Sequence, residues 1–94
     1  MPKQDRHTGM KLPSKVQIAG KTWKVKETNT GLGKDLGKAI APSKTILVKK
    51  KQTDIEKKIT LVHEMIHGFM WFLDEACVEQ MATDVVDALE ACEE

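Results

Sequence analysis

The chain changes its hydrophobic rhythm near residue 53, and the change divides it into a strand-like and a helical half. Val16-Gln17-Ile18 and Trp23-Lys24-Val25 alternate apolar and polar residues on either side of Ala19-Gly20-Lys21. A period of two belongs to strands with one buried face, so these segments predict a β-hairpin, with Trp23 anchoring it to the layer that covers that face. Thr45-Ile46-Leu47-Val48, entered after Pro42-Ser43, is rich in β-branched residues and predicts a third strand. Between them, Thr28 to Lys38 carries Gly31, Gly33 and Gly37 and predicts irregular structure. Thr53-Asp54-Ile55-Glu56 is a capping box, so a helix is expected from about Asp54 to Phe72. Asp74 caps a second helix, in which Val78, Met81, Ala82, Val85, Val86 and Leu89 recur at helical spacing. Residues 1–14 are polar, include Gly9 and Pro13, and predict a loose amino-terminal arm before a single domain over 15–94.

One helical segment breaks the apolar pattern in a way that calls for chemistry. From Ile59 to Leu73 the only formally charged residue is Glu64, yet Thr60, His63, Glu64, His67 and Trp71 form a narrow stripe on the wheel. Positions four apart on a helix lie about 40° from eclipsed and roughly 6 Å along the axis, so His63 and His67 can close on one ion. Burying two imidazoles and a carboxylate without partners is expensive, and a divalent cation supplies partners to all three. His63-Glu64-Met65-Ile66-His67 is thus H-E-x-x-H, with two zinc-ligating histidines and Glu64 placed as general base.

Catalytic zinc sites usually take three protein ligands. If the two helices turn back near Leu73, His67 lies opposite Glu79 or Gln80, which makes Glu79 the candidate carboxylate, with Glu75 and Asp84 as alternatives. Glu79 sits among the apolar positions Val78, Ala82 and Val86, where an unpaired carboxylate is costly. Cys77 is a further possible ligand, although two buried, reduced thiols are the simpler reading of Cys77 and Cys92, which make no C-x-x-C pair. Gly37-Lys38 does not make a phosphate loop, because Leu32 stands where the upstream glycine is needed and Ala39 follows the lysine.

Composition narrows the classes without choosing among them. Ninety-four residues with 40% hydrophobic and 31% charged content fit one globular domain rather than a disordered chain. The Ile59–Leu73 run is too short and too polar to span a bilayer, and the amino terminus has no apolar signal core, so a cytoplasmic protein without membrane contact is expected. The net charge is +1, but residues 1–58 hold all fifteen basic residues against five acids, or +10, and residues 59–94 are −9. The basic half could meet a polyanion, although Lys49-Lys50-Lys51 and Lys57-Lys58 are short runs without interleaved aromatics.

The segment Thr60 to Trp71, followed by Cys77-Val78-Glu79-Gln80-Met81-Ala82, resembles the small zincin-like metallopeptidases of phage and mobile elements related to the ImmA/IrrE group. That resemblance implies His63, His67 and Glu79 as zinc ligands, Glu64 as catalytic base, and an edge strand near Ile46–Val48 that takes extended peptide by β-augmentation. It also implies a minimal α+β zincin-like domain, with a small, mostly antiparallel sheet packed on the H-E-x-x-H helix and a second, C-terminal helix completing the site. The expected activity is zinc-dependent hydrolysis of a peptide or protein substrate. A zinc-binding module without turnover, for which the absence of tyrosine speaks, and a nucleic-acid-associated accessory protein are the alternatives.

Overall fold

The computed structural model describes residues 12–92, and within them the two halves of the chain form two distinct layers. The elements are β1 (Lys15–Ile18), β2 (Lys21–Thr28), β3 (Gly37–Ile40), β4 (Thr45–Lys49), α1 (Asp54–Phe69) and α2 (Glu75–Ala91). The hairpin between β1 and β2 closes on two residues, Ala19 and Gly20, both with positive φ (52° and 79°). Two left-handed residues match the right-handed twist of the flanking strands.

The four strands form one sheet in the order β1-β2-β4-β3. The β1–β2 and β3–β4 pairs are antiparallel, whereas β2 and β4 run parallel, Val25 beside Ile46. Two expectations change here. The glycine-rich stretch ends in a strand, β3, which its weakly alternating Gly37-Lys38-Ala39-Ile40 did not signal. The strand at Thr45–Lys49 lies inside the sheet, because β3 pairs with its outer side. The edge on this side of the sheet is therefore β3 and not Ile46–Val48.

One sheet face is dry. Ile18, Trp23, Val25, Ile46 and Val48 point from it into a core closed by Leu61 of α1, with Leu12, Val16, Ala39 and Met65 packed around them. Leu12 and Ser14, whose carbonyl accepts from the Val25 amide at 2.9 Å, tie the end of the expected arm to this sheet; residues 1–11, including His7, lie outside the described residues. Two glycines let α1 come close. A Cβ on Gly68 would stand 3.0 Å from Ile18 Cδ1, and one on Gly37 would stand 2.5 Å from Thr60 Cγ2 and 3.0 Å from the Leu47 carbonyl oxygen.

The capping box at the start of α1 forms as the sequence predicts: the Glu56 amide donates to Thr53 Oγ1 at 3.1 Å and the Thr53 amide to Glu56 Oε1 at 2.9 Å. The helix stops at Phe69, three residues before the expected end, because Met70 leaves helical backbone and the chain must reverse before Asp74. Asp74 then caps α2, its Oδ1 accepting from the Cys77 amide at 2.7 Å. Val78, Ala82 and Val86 are fully buried, while Val85 and Leu89 of the same apolar series are exposed. Among the described residues, α2 packs against α1 and no other element. Cys77 and Cys92 are exposed, contrary to the expected burial; Cys92 stands at the C-terminal end of α2. No described helix is long and apolar enough to cross a membrane.

Candidate metal centre

Helical spacing brings His63 and His67 onto one face of α1, with their Nε2 atoms 3.1 Å apart and their rings edge-on at 65°. The turn at residues 70–74 sends α2 back alongside, so that its first two turns face this pair. Glu75 Oε1 reaches both imidazoles, at 3.3 Å from His63 Nε2 and in close contact with His67 Nε2. Glu79, one turn further on, lies on the far side of His63, where its Oε1 accepts from Nδ1 at 2.9 Å. The grouping that could hold an ion is therefore His63, His67 and Glu75. Asp84 instead accepts from the Gln80 side chain at 2.9 Å, and Cys77 Sγ lies 3.9 Å from Met81 Sδ.

The early end of α1 accounts for this placement. With helices ending at Phe69 and restarting at Glu75, the reversal centres nearer residue 72 than 73, and the residue that falls across from His67 moves toward the start of α2. Glu75 and Glu79 are four apart and share a face, so both carboxylates reach the histidines, one at each side.

The donor set suits a small divalent cation. A carboxylate on Nδ1 of His63 keeps the proton on that nitrogen and leaves the Nε2 lone pair facing His67 and Glu75. Three electron-rich atoms then converge, and only a shared proton or a cation reconciles them. The separations of 3.1 and 3.3 Å from His63 Nε2 are close to the edge of a tetrahedron with bonds of about 2.0–2.1 Å, whereas Glu75 and His67 lie closer than that and would have to part to admit an ion. Where protonated imidazoles rather than a cation meet the carboxylate, the hydrogen bond from His67 holds the Glu75 carboxyl below the ordinary carboxylate range, and a charge on His63 adds to the effect.

Glu64 has the opposite environment. It is 8% exposed, wedged between α1 and β3, and burial pushes its carboxyl above the usual range although His63 and His67 pull the other way. Gly37 makes this position possible, since a Cβ there would come within 3.2 Å of Glu64 Cγ. A cleft of about 610 Å³ opens over the site, walled on one side by β3 with Lys34, Asp35 and Lys38, and on the other by α2 with Glu75 and Glu79. Thr60, at the cleft floor, donates to Gln52 Oε1 at 2.9 Å. The β3 wall and Gly37 were not anticipated; the one signal for them is a glycine placed just before a short Lys-Ala-Ile run.

The fold and the site define a minimal zincin-like α+β architecture: a small mixed sheet, a helix bearing His63, Glu64 and His67, and a second helix supplying a carboxylate. No protein family, curated protein or solved structure matches the chain.

Proposed function

We propose that the protein is a zinc-dependent peptidase of the H-E-x-x-H type. The observation that carries this reading is the convergence of His63, His67 and Glu75 beside a buried Glu64, at the floor of a cleft bordered by an edge strand. His63 and His67 would hold the ion through Nε2 and Glu75 through its carboxylate, with Glu79 keeping His63 oriented. Zinc held there supplies Lewis-acid polarisation of a carbonyl and lowers the pKa of a bound water.

Glu64 takes a proton from the attacking water as its oxygen adds to the carbonyl carbon, and gives that proton to the amine as the carbon–nitrogen bond breaks. Its buried setting favours this exchange, because a carboxyl whose charged form is poorly solvated gives and takes a proton nearer neutral pH. β3 offers an unpaired edge to an extended peptide, which would add as a fifth strand and pass over Glu64. The substrate is then an unfolded segment of a peptide or protein. Exposed, unpaired Cys77 and Cys92 suit a reducing compartment and favour a cytoplasmic setting.

A second reading, a metal-holding module without turnover, is favoured by one feature: the chain has no tyrosine to stabilise an oxyanion. The deciding experiment loads the protein with zinc, measures one metal per chain by elemental analysis, and compares hydrolysis of unstructured protein substrates by wild type and Glu64→Gln. Cleavage by wild type with equal zinc but no cleavage in the variant supports the peptidase. Full zinc occupancy with no cleavage across the substrate panel leaves the module, and no zinc uptake removes both readings.

A further inference from the structure

The sheet face turned away from α1 has a composition that peptide hydrolysis does not use. Strand alternation and register place Lys15 of β1, Lys24 and Lys26 of β2, Lys38 of β3 and Lys49 of β4 on that face, Lys38 at the edge where it also borders the cleft. Lys15 stands directly beside Lys24, and Lys26 and Lys38 flank Leu47 from opposite sides in a single row across the sheet. Every other outward strand position is uncharged, and no acid occurs among them. The ion-paired lysines of the described residues, Lys57 with Glu27 and Lys58 with Glu90, both belong to α1, on the opposite side of the sheet. The five face lysines therefore have no acidic partner among the described residues.

We infer that this open face binds the phosphate backbone of duplex DNA. At about 4.8 Å between strands and about 6.8 Å per two residues, the lysines cover a patch of roughly 14 by 14 Å. The same length of duplex axis carries about eight phosphates, one charge per 1.7 Å or so, which gives every lysine a partner. Lysine is depleted at protein–protein interfaces, whose centres need apolar or aromatic anchors, and this face offers only Ile40 and Leu47. It also carries no aromatic ring on which an unstacked base could lie, so single strands gain nothing beyond charge. Contacts of this kind position a duplex without reading its sequence. The remaining acids reinforce the orientation, because residues 59–94 carry −9 and α2 lies beyond α1, with no strand as its neighbour. A duplex is thus drawn to one side of the molecule and repelled from the other, leaving the cleft wall of α2 clear.

The test is fluorescence anisotropy of a labelled random-sequence 20-base-pair DNA duplex with the full chain, from 50 to 200 mM salt. Five phosphate contacts give a slope of log K against log salt of about −4.5. Lys24→Gln/Lys26→Gln should lower that slope by about two and weaken binding at least several-fold at 50 mM salt. Lys57→Gln/Lys58→Gln, which removes equal charge from the helical side, should leave both slope and affinity within about twofold of wild type. Thermal unfolding of each variant checks that the fold is kept. No binding to duplex at 50 mM salt overturns the inference. Equal weakening by the two variants also overturns it, since net charge rather than this face would then govern. Tighter binding to a single strand of the same length overturns the duplex assignment, and salt-sensitive self-association lost in Lys24→Gln/Lys26→Gln without DNA binding assigns the face to the acidic α2 of a second copy. The measurement does not involve zinc, so its failure leaves the peptidase reading untouched.

Discussion

Two glutamates on one face of α2 and one on α1 divide the work of the site according to what surrounds each. Glu75 meets two Nε2 atoms and Glu79 meets one Nδ1, so their loss should differ in degree. Glu79→Ala is expected to weaken zinc affinity about 10- to 100-fold, the usual cost of removing a group that orients a ligand. Glu75→Ala should cost at least tenfold more than that, measured by competition with a chelating dye. The reverse order would make Glu79 the ligand and Glu75 its support. Glu64 gives a prediction with a definite sign in pH. Burial raises its carboxyl in the folded protein, so the native state favours the protonated form; stability is fullest below the unfolded value of about 4.3 and declines as pH rises through the folded value. In metal-free protein Glu64→Gln should therefore be more stable than wild type at pH 7, and the difference should vanish near pH 4. A difference that is constant with pH in urea unfolding would show that Glu64 ionisation carries no penalty.

At the scale of elements, β3 comes close to α1 beside the site, and the approach depends on the missing Cβ of Gly37. Gly37→Ala should cost about 1–3 kcal/mol through overpacking against Thr60 and the Leu47 carbonyl. In a chain of this length that corresponds to a fall in Tm of about 5–20 °C by calorimetry. Adding Thr60→Ser removes the methyl that lies 2.5 Å away, keeps a hydroxyl for Gln52, and should recover part of the loss. No recovery would place the strain at the Leu47 backbone instead. The capping box of α1 and the Asp74 cap of α2 were legible because they are local: four consecutive residues contain every group involved. The end of α1 was not, because the apolar run continues through Trp71 and Phe72, which are exposed in the reversal.

For the whole molecule, metal binding should couple to folding, since among the described residues α2 packs on α1 alone and the two helices together bear the residues that could hold an ion. A ligand at 100 times its Kd stabilises by about 2.7 kcal/mol. Zinc at that excess should raise Tm by about 10–20 °C, and His63→Ala/His67→Ala should abolish the rise. An unchanged Tm in wild type, with zinc bound, would mean that the helices hold together without it. The Glu27–Lys57 pair, which keeps the Glu27 carboxyl below its ordinary range, joins the sheet to α1 independently of the site. Its stability is present above the unfolded carboxylate value and fades as pH falls through the lower folded one, a contribution of at most about 1 kcal/mol.

The grouping of His63, Glu64 and His67, the two helices, the first hairpin and the buried sheet face could be read from the chain because periods of 3.6 and 2 are properties of neighbouring residues. Strand order, the identity of the edge strand, the carboxylate that reaches Nε2, and the gathering of five lysines on one sheet face depend on pairs far apart in sequence. Thr45–Lys49 reads the same whether it lies at an edge or inside, and only the return of β3 along its outer side decides. Glu75 and Glu79 are equivalent candidates until the length of the reversal is known, because they share one face of α2, and only the level at which α2 starts beside α1 decides which of them lies across from His67.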